Sequence, residues 1–228
     1  MILLLVVCST IQGRKHEPLR VTIFGDSYST YENYLTPDTN RVWYFAPPRQ
    51  QPNNDVSRVE QTWWWLVKEE MGWTIDCVNA YSGSTIGCLG YRGKDYTPNA
   101  FITRMNNLGD PDIILVCGAT NDSWCDVPVG EYHYGEWSRE ELFTFRPAMA
   151  KLCWGLKTYY PKAKVLFILN TGLREDINES VLTVCAHYDI PVLCLHDIDK
   201  QDGHPSVAGM RTFADQVEAW ARKNKLAR

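Results

Sequence analysis

An α/β fold is predicted for this chain: a three-layer α/β/α sandwich whose middle layer is a five-stranded parallel sheet. Two features of the sequence predict it. Five short apolar segments alternate along the chain with longer segments that have helical periodicity. The short segments are continuously apolar rather than alternating, which is typical of strands buried on both faces of a parallel sheet. The length of 228 residues suits a single domain, which we expect to span residues 19–228.

The predicted elements follow one another with turn signals between them. Strands are expected at residues 20–24, 73–78, 112–117, 164–169 and 191–195, and helices at residues 59–71, 99–108, 139–160, 174–188 and 206–225. Gly72 ends the first of these helices, because glycine readily adopts the left-handed conformation of a helix terminus. Pro147 lies within the third helical segment, so a separate turn is expected before the main helix there.

Composition and cysteine usage exclude several kinds of partner. The formal net charge is −4 and no block of Lys and Arg stands out, so no nucleic-acid partner is expected. No Cys/His spacing predicts a zinc site, and we expect no metal. Most of the eight cysteines lie in apolar segments and are expected to be small buried hydrophobic residues, namely Cys77, Cys117, Cys153, Cys185 and Cys194. One or two disulfides are left open.

The N-terminus is an apolar run, MILLLVVCSTIQG, that is too short to span a bilayer and lacks the basic start of a full secretory signal. We expect residues 1–18 to be the remnant of an export or lipoprotein signal, with Cys8 as the acylated residue in the second case, or a disordered arm. This favours an exported protein, periplasmic or lipoprotein-anchored, without a transmembrane span. A cytoplasmic location is left open.

Polar segments rich in small residues follow the predicted strands. They are Gly25-Asp26-Ser27 after the first strand, residues 79–85 (NAYSGST) after the second, residues 118–122 (GATND) after the third, and Gly203-His204-Pro205 after the fifth. Ligands of open parallel sheets bind beyond the carboxyl ends of the strands. We therefore expect these four segments to form one site.

The four segments contain what nucleophilic acyl transfer needs: a hydroxyl, a base, and donors for an oxyanion. Ser27 is the candidate nucleophile and His204 the candidate base. The backbone N–H groups of Ser27 and Gly83 and the side-chain amide of Asn121 are the candidate oxyanion donors. Taken alone, Gly-Asp-Ser is also ordinary turn chemistry. It is the set of four segments in order that favours a catalytic serine.

In content and order, these segments resemble the four blocks of the SGNH (GDSL) hydrolase superfamily, particularly its bacterial carbohydrate-esterase-like members. GDS, the glycine of NAYSGST, the asparagine of GATND and the histidine of GHP match the serine, glycine, asparagine and histidine of that name, across residues 21–210. The resemblance implies a flavodoxin-like strand order, a serine esterase that needs no cofactor, and catalytic roles for Ser27, Gly83, Asn121 and His204.

One departure from the family pattern concerns the acid of the triad. The family usually has Asp three residues before the histidine, where this chain has Gln201. Asp202 is nearest to His204, and Asp199 could reach the ring if the loop folds back. A backbone carbonyl could also orient the ring and leave a Ser-His dyad. We retain both aspartates, with a slight preference for Asp202.

The substrate is expected to be an ester on a small molecule or glycan. Trp, Tyr, Asn and Arg surround the predicted site, and aromatic faces with polar rims suit sugar rings. Candidate substrate-binding residues are Asp26, Trp43, Tyr44, Asp122 and Trp124, although Asp26 is also expected to brace its own turn. We favour removal of acetyl groups from a carbohydrate. A lipid or thioester acylhydrolase resembling lysophospholipases, and a non-catalytic glycan-binding protein, are the alternatives. The sugar, the ester position and the oligomeric state are left open.

Overall fold

Five parallel strands form the central sheet, as the sequence predicts. In the computed structural model, which describes residues 17–226, they are β1 (Arg20–Gly25), β2 (Thr74–Ala80), β3 (Ile113–Gly118), β4 (Lys164–Leu169) and β5 (Val192–Cys194). Their order across the sheet is β2-β1-β3-β4-β5, the flavodoxin-like order. Every residue of β3 is buried, because helices cover both faces of the sheet.

Helices form the two outer layers of the sandwich. They are α1 (Trp63–Met71), α2 (Phe101–Arg104), α3 (Thr120–Trp124), α4 (Phe145–Tyr159), α5 (Glu175–His187) and α6 (Val207–Lys223). α1 and α6 share one core with Leu115 of β3, whereas α2, α4 and α5 share the other core with Val116. Successive residues of β3 thus point into opposite cores, and the predicted three-layer architecture is confirmed.

The helix ends agree with their local signals. α1 ends at Gly72, which has a left-handed φ of 64°. A 3₁₀ turn (Glu141–Phe143) precedes α4, and Pro147 lies in the first turn of α4, where a backbone N–H would have no helical partner. Ser206 caps α6 by accepting a hydrogen bond from the Gly209 N–H at 3.1 Å.

The helix expected at residues 99–108 is much shorter than predicted, since α2 has four residues. Tertiary hydrogen bonds replace helical ones after it ends. The carbonyl of Met105 accepts from the hydroxyl of Tyr160 at 3.0 Å, and that of Leu108 accepts from the hydroxyl of Thr22 at 2.7 Å. With their carbonyls bonded to other elements, these residues do not need the helix.

The cysteines are free in the described part of the chain, Cys77 to Cys194. The expectation that Cys194 is buried was wrong: it is exposed at the end of β5, an edge strand of three residues with only one neighbour. No helix within residues 17–226 combines the length and apolarity that crossing a membrane requires. Of the expected N-terminal signal, residues 1–16, with Cys8, lie outside the described part.

Candidate active site

Ser27 begins a single 3₁₀ turn (Ser27–Ser29) immediately after β1. Asp26 holds this turn, because its Oδ1 accepts a hydrogen bond from the Tyr28 N–H at 3.0 Å. Gly25 is required by close approach, since a Cβ there would lie 2.4 Å from the Ser29 side chain. The tight turn leaves Ser27 at the carboxyl end of the sheet with 3% of its surface exposed.

His204 lies in a small antiparallel hairpin formed by β6 (Lys200–Gln201) and β7 (His204–Pro205). The two residues between the strands, Asp202 and Gly203, have φ values of 50° and 72°. Positive φ at both central residues is the signature of a type I′ turn, for which Asp-Gly is a favoured pair. The turn fixes the direction of the carbonyls on either side of His204.

Side-chain donors from three other segments hold this hairpin. The hydroxyl of Tyr28 donates to the carbonyl of Gly203 at 2.6 Å. The hydroxyl of Tyr44 and the amide of Asn54 donate to the carbonyl of Pro205 at 3.0 and 3.1 Å. Since Tyr28 directly follows Ser27, the first of these bonds ties the hairpin to the serine turn.

The structure brings Ser27 and His204 into hydrogen-bond contact, with Ser27 Oγ 3.0 Å from His204 Nε2. The other ring nitrogen, Nδ1, lies 2.9 Å from the main-chain oxygen of Asp202. A carbonyl oxygen only accepts, so the neutral ring must carry its proton on Nδ1. Nε2 then has its lone pair directed at the serine hydroxyl, which is the tautomer that a general base needs.

Neither expected acid contacts the imidazole. The Asp202 side chain is at the exposed tip of the turn, and only the main-chain oxygen of that residue faces the ring. The Asp199 carboxylate accepts the hydroxyl of Ser206 at the start of α6. The side-chain oxygen of Gln201 accepts a hydrogen bond from the Asp55 N–H at 2.8 Å. The preference for an aspartate carboxylate is thus corrected: the arrangement is the third alternative, a dyad oriented by a backbone carbonyl.

Aromatic rings enclose the imidazole. Trp43 stacks on it with a centroid distance of 3.6 Å and an interplanar angle of 12°. Tyr28 and Trp124 approach its edges at 5.3 and 5.8 Å. Burial lowers the pKa of His204 below its ordinary value of 6.5, and the charge of Lys200 lowers it further. The ring is therefore mostly neutral at pH 7, as a base requires.

The three residues expected to supply oxyanion donors, Ser27, Gly83 and Asn121, all line one cleft. Within residues 17–226, no group accepts a hydrogen bond from the backbone N–H of Ser27 or Gly83. Gly83 has a φ of 86°, which favours glycine. The Asn121 Oδ1 accepts from the Tyr91 hydroxyl at 2.7 Å, and its Nδ2 donates to the Ser84 carbonyl at 3.0 Å, so one amide N–H remains for a ligand.

Three of the five expected substrate-binding residues do not reach the cleft, which corrects those predictions. Asp26 and Asp122 have no exposed surface and Tyr44 has 1%. Both carboxylate oxygens of Asp122 accept from the Ile86 N–H, at 3.0 and 3.1 Å, and hold the Gly83 loop against α3. Burial raises the pKa of Asp26 and of Asp122 to about 7. Trp43 and Trp124 do line the cleft.

Arg104 is a site residue that sequence reasoning missed. Its guanidinium donates to the carbonyls of Gly25 and Asn79 at 3.1 and 2.8 Å and to the Ser84 hydroxyl at 3.0 Å. It lies over the Phe101 ring at 4.7 Å, and burial lowers its pKa to about 9. It joins the ends of β1 and β2, behind Ser27 and Gly83. Nothing distinguishes it in sequence from an arginine on the solvent face of a helix.

The cleft has a volume of about 490 Å³. Its wall also contains residues that were not among the candidate site residues, namely Arg41, Tyr91, Arg92, Lys94 and Tyr96. None of the described residues that line it is Leu, Ile, Val, Met or Phe. The segment 91–96 (YRGKDY) carries no site signal in the sequence because it does not directly follow a strand. Across residues 17–226, no three His, Cys, Asp or Glu side chains are grouped as a metal site would need.

The chain is similar to proteins of one hydrolase family. A family model described as GDSL-like lipase/acylhydrolase matches residues 19–221. Proteins of Bacteroides ovatus and Bacteroides uniformis described as GDSL-like lipases are 48% and 45% identical, with TM-scores of 0.88 and 0.89. Each alignment covers 91% of this chain, and 99% and 97% of the respective relative.

A more distant structure shares the fold. An acetyl xylan esterase of Butyrivibrio proteoclasticus is 12% identical with a TM-score of 0.59, over 91% of this chain and 64% of that one. No curated protein matches the sequence. Because the family model spans nearly all the described residues and two solved relatives exceed 40% identity, the chain belongs to the GDSL-like lipase/acylhydrolase family of SGNH hydrolases and is an ester-cleaving enzyme.

Proposed function

We propose that this enzyme is a serine esterase that removes small acyl groups, above all acetyl, from a carbohydrate. The observation that carries the proposal is the cleft wall, in which the described residues supply aromatic rings and polar groups but no aliphatic side chain. A long acyl chain would need an apolar channel to bury its methylene groups. Sugar rings instead offer C–H faces to aromatic rings and hydroxyl edges to polar groups.

Ser27 is the nucleophile and His204 the base in this proposal. Nε2 of His204 removes the hydroxyl proton as Ser27 Oγ attacks the acyl carbonyl, a transfer that the 3.0 Å contact supports. The C–O bond to the sugar then breaks, and the imidazolium returns its proton to the leaving oxygen. Water next attacks the acyl-enzyme with the same base, which releases the acid and restores the serine.

The negative charge that develops on the carbonyl oxygen is bound by the N–H groups of Ser27 and Gly83 and the amide of Asn121. Donors held in advance cost no reorganisation during the reaction, and one such donor contributes about 10²–10³-fold in rate in comparable sites. Asn121 is held by Tyr91 and Ser84, as described above. Ser27 is held by its turn and Gly83 by its loop.

The imidazolium intermediate is stabilised without a carboxylate. The Asp202 carbonyl accepts a hydrogen bond from Nδ1–H throughout the cycle, and the Trp43 face offers a cation–π contact of about 0.5–2 kcal/mol. The shared fold with an acetyl xylan esterase is consistent with acetyl as the acyl group.

Acyl-chain length and matched variants test the proposal. Turnover of acetyl, butyryl and octanoyl nitrophenyl esters is measured, together with acetate release from acetylated oligosaccharides. We expect acetyl to be preferred, and Ser27→Ala and His204→Ala to lose about 10⁴-fold or more. The matched controls are Ser29→Ala, in the same turn, and His196→Ala, at the surface, which retain activity.

Two results would overturn it. A preference for octanoyl esters would favour a lipid or thioester acylhydrolase. Equal rates for the wild type and Ser27→Ala on every ester would favour a glycan-binding protein without turnover.

An exported location is also part of the proposal. The apolar run at residues 1–13 and a glycan substrate, which is usually met outside the cell, support it.

A further inference from the structure

Positively charged side chains line the cleft, whereas the chain as a whole is acidic. Arg41, Arg92 and Lys94 all line it, and no described Asp or Glu does. The chain as a whole has a formal net charge of −4, with 27 acidic and 23 basic residues. The sign of the charge is therefore reversed at the place where the reaction occurs.

These three cations have no acidic partner among residues 17–226. Among the described residues, no carboxylate oxygen lies within 4.0 Å of the charged atoms of Arg41, Arg92 or Lys94, and none of the three side chains donates a hydrogen bond. Arginines elsewhere do have acidic partners, and Arg139 is one example, bound to Asp95 at 2.7 Å. The charge in the cleft is thus available to a ligand.

Arg41 lies beside the oxyanion donors. Its Nη1 is 3.8 Å from the point at which a Cβ on Gly83 would stand. Its own carbonyl accepts the Ser82 N–H at 2.8 Å, which fixes the backbone next to that glycine. An anion bound by this guanidinium would be within one sugar unit of the reacting ester.

The other two cations belong to a tight turn, residues 90–95, that closes on itself through the Gly90 N–H and the Lys94 carbonyl at 2.9 Å. Arg92 has a left-handed φ of 59°, an uncommon conformation for a residue other than glycine. The hydroxyl of Tyr91 ties this turn to Asn121. The turn therefore presents its charge to the cleft from a defined position.

We propose that the substrate is an acylated acidic sugar, in which the unit that carries the ester, or its neighbour, bears a carboxylate held by Arg41 together with the cations of the 90–95 turn. This rests on the proposed esterase function and specifies its substrate class. The planar guanidinium matches a carboxylate with two parallel hydrogen bonds, while the aromatic rings of Trp124 and Tyr96 are available for the sugar face.

The test compares substrates that differ only in charge. Mono-O-acetylated methyl glucuronide is compared with its methyl ester, which removes the charge, with mono-O-acetylated methyl glucoside, and with the glucoside 6-sulfate. We expect kcat/KM for the glucuronide to exceed that for both neutral sugars by about tenfold or more, since a charge-assisted hydrogen bond is stronger than a neutral one. The preference falls at high salt, because these cations are exposed.

The variants are compared by the ratio of kcat/KM for the glucuronide to kcat/KM for the glucoside, rather than by either value alone. Arg41→Gln and Arg92→Gln are each expected to lower that ratio about three- to tenfold, because each removes one charge from the cleft. Arg20→Gln is the matched control, because it removes one positive charge at the start of β1, at the opposite end from Ser27. It is expected to leave kcat/KM for each substrate, and their ratio, unchanged. Free methyl glucuronide is also expected to inhibit nitrophenyl acetate turnover more strongly than methyl glucoside does. This inhibition measurement requires no assumption about which sugar hydroxyl carries the ester.

The outcomes separate this inference from the proposed function. Turnover of acetylated sugars with equal kcat/KM for charged and neutral forms, and equal inhibition by both products, overturns the acidic-sugar assignment and leaves the esterase intact. A higher kcat/KM for the glucoside 6-sulfate than for the glucuronide overturns the proposal that the acidic group of the substrate is a carboxylate. A wild type no faster than Ser27→Ala on any acetylated sugar refutes the proposed function itself.

Discussion

Replacing Asp202 by Asn tests the claim that a main-chain carbonyl, and not a carboxylate, orients the imidazole of His204. Asn is as well suited as Asp to a type I′ turn followed by glycine, so the hairpin is retained at the observed φ of 50°. The substitution removes the carboxylate and keeps the main-chain oxygen that lies 2.9 Å from His204 Nδ1.

The expected effect on kcat/KM depends on which atom accepts the hydrogen bond from His204 Nδ1–H. In a serine triad, changing the acid to its amide costs about 10⁴-fold in kcat, or about 5.4 kcal/mol, because the ring is held in the wrong tautomer. Here the acceptor is unchanged, so we expect Asp202→Asn to keep kcat/KM within about threefold of the wild type, which is under about 0.7 kcal/mol. The Asp202 charge raises the pKa of His204, so its removal lowers that pKa. The acid limb of the pH profile of kcat/KM is therefore expected at slightly lower pH in Asp202→Asn.

Asp202→Ala gives a distinguishing second measurement. Alanine loses the same carboxylate but must adopt a positive φ, at a cost of roughly 1–2 kcal/mol that can be relieved by turning the carbonyl away from the ring. We expect Ala to lose more activity than Asn, with full activity restored in Asp202→Gly. The assay is kcat/KM for nitrophenyl acetate as a function of pH. Equal losses of a thousandfold or more in the Asn, Ala and Gly variants would refute the reasoning and restore the carboxylate as the third triad member.

Three further predictions concern residues around the dyad. Trp43→Leu is expected to lower kcat about tenfold, because the stacked ring no longer supports the imidazolium, while Trp43→Phe retains most of the rate; equal rates in the two variants would contradict this. The acid limb of kcat/KM is expected to have its midpoint below pH 6.5, since only the neutral imidazole is a base and burial lowers the pKa of His204; Lys200→Met should move that midpoint upward, and a downward shift would be inconsistent with the charge effect. Arg104→Met is expected to lower the free energy of unfolding in urea by about 3 kcal/mol or more, because buried carbonyls lose their donor; a loss below about 1 kcal/mol would show that these groups find other partners.

The fold and the dyad residues were accessible from sequence because their signals are local. β1, β3 and β4 are largely apolar runs of a length that suits a buried strand. Gly72, Pro147 and Ser206 mark helix ends through their own backbone and side-chain chemistry. In a parallel sheet with helical crossovers, the segments after the strands meet at one edge. That rule alone was enough to predict that Ser27 and His204, which are 177 residues apart, come together.

Side-chain direction in the loops depended on tertiary structure. Sequence proximity favoured the Asp202 carboxylate, but a two-residue turn between strands of two residues turns that side chain outward and its carbonyl inward. Likewise, Asp26, Tyr44 and Asp122 looked like cleft residues, and burial among main-chain donors and acceptors made them supports instead.

The charge of the cleft is the clearest case of a property that only the tertiary structure decided. About 50 residues of chain separate Arg41 from the cations of the 90–95 turn. Both segments are loops without periodicity, so no sequence pattern connects them. Their convergence depends on long-range hydrogen bonds, such as that of Tyr91 to Asn121 and that of Ser82 to the Arg41 carbonyl. Local sequence therefore determined the scaffold and the reacting atoms, whereas long-range contacts determined how the histidine is oriented and which charge the substrate meets.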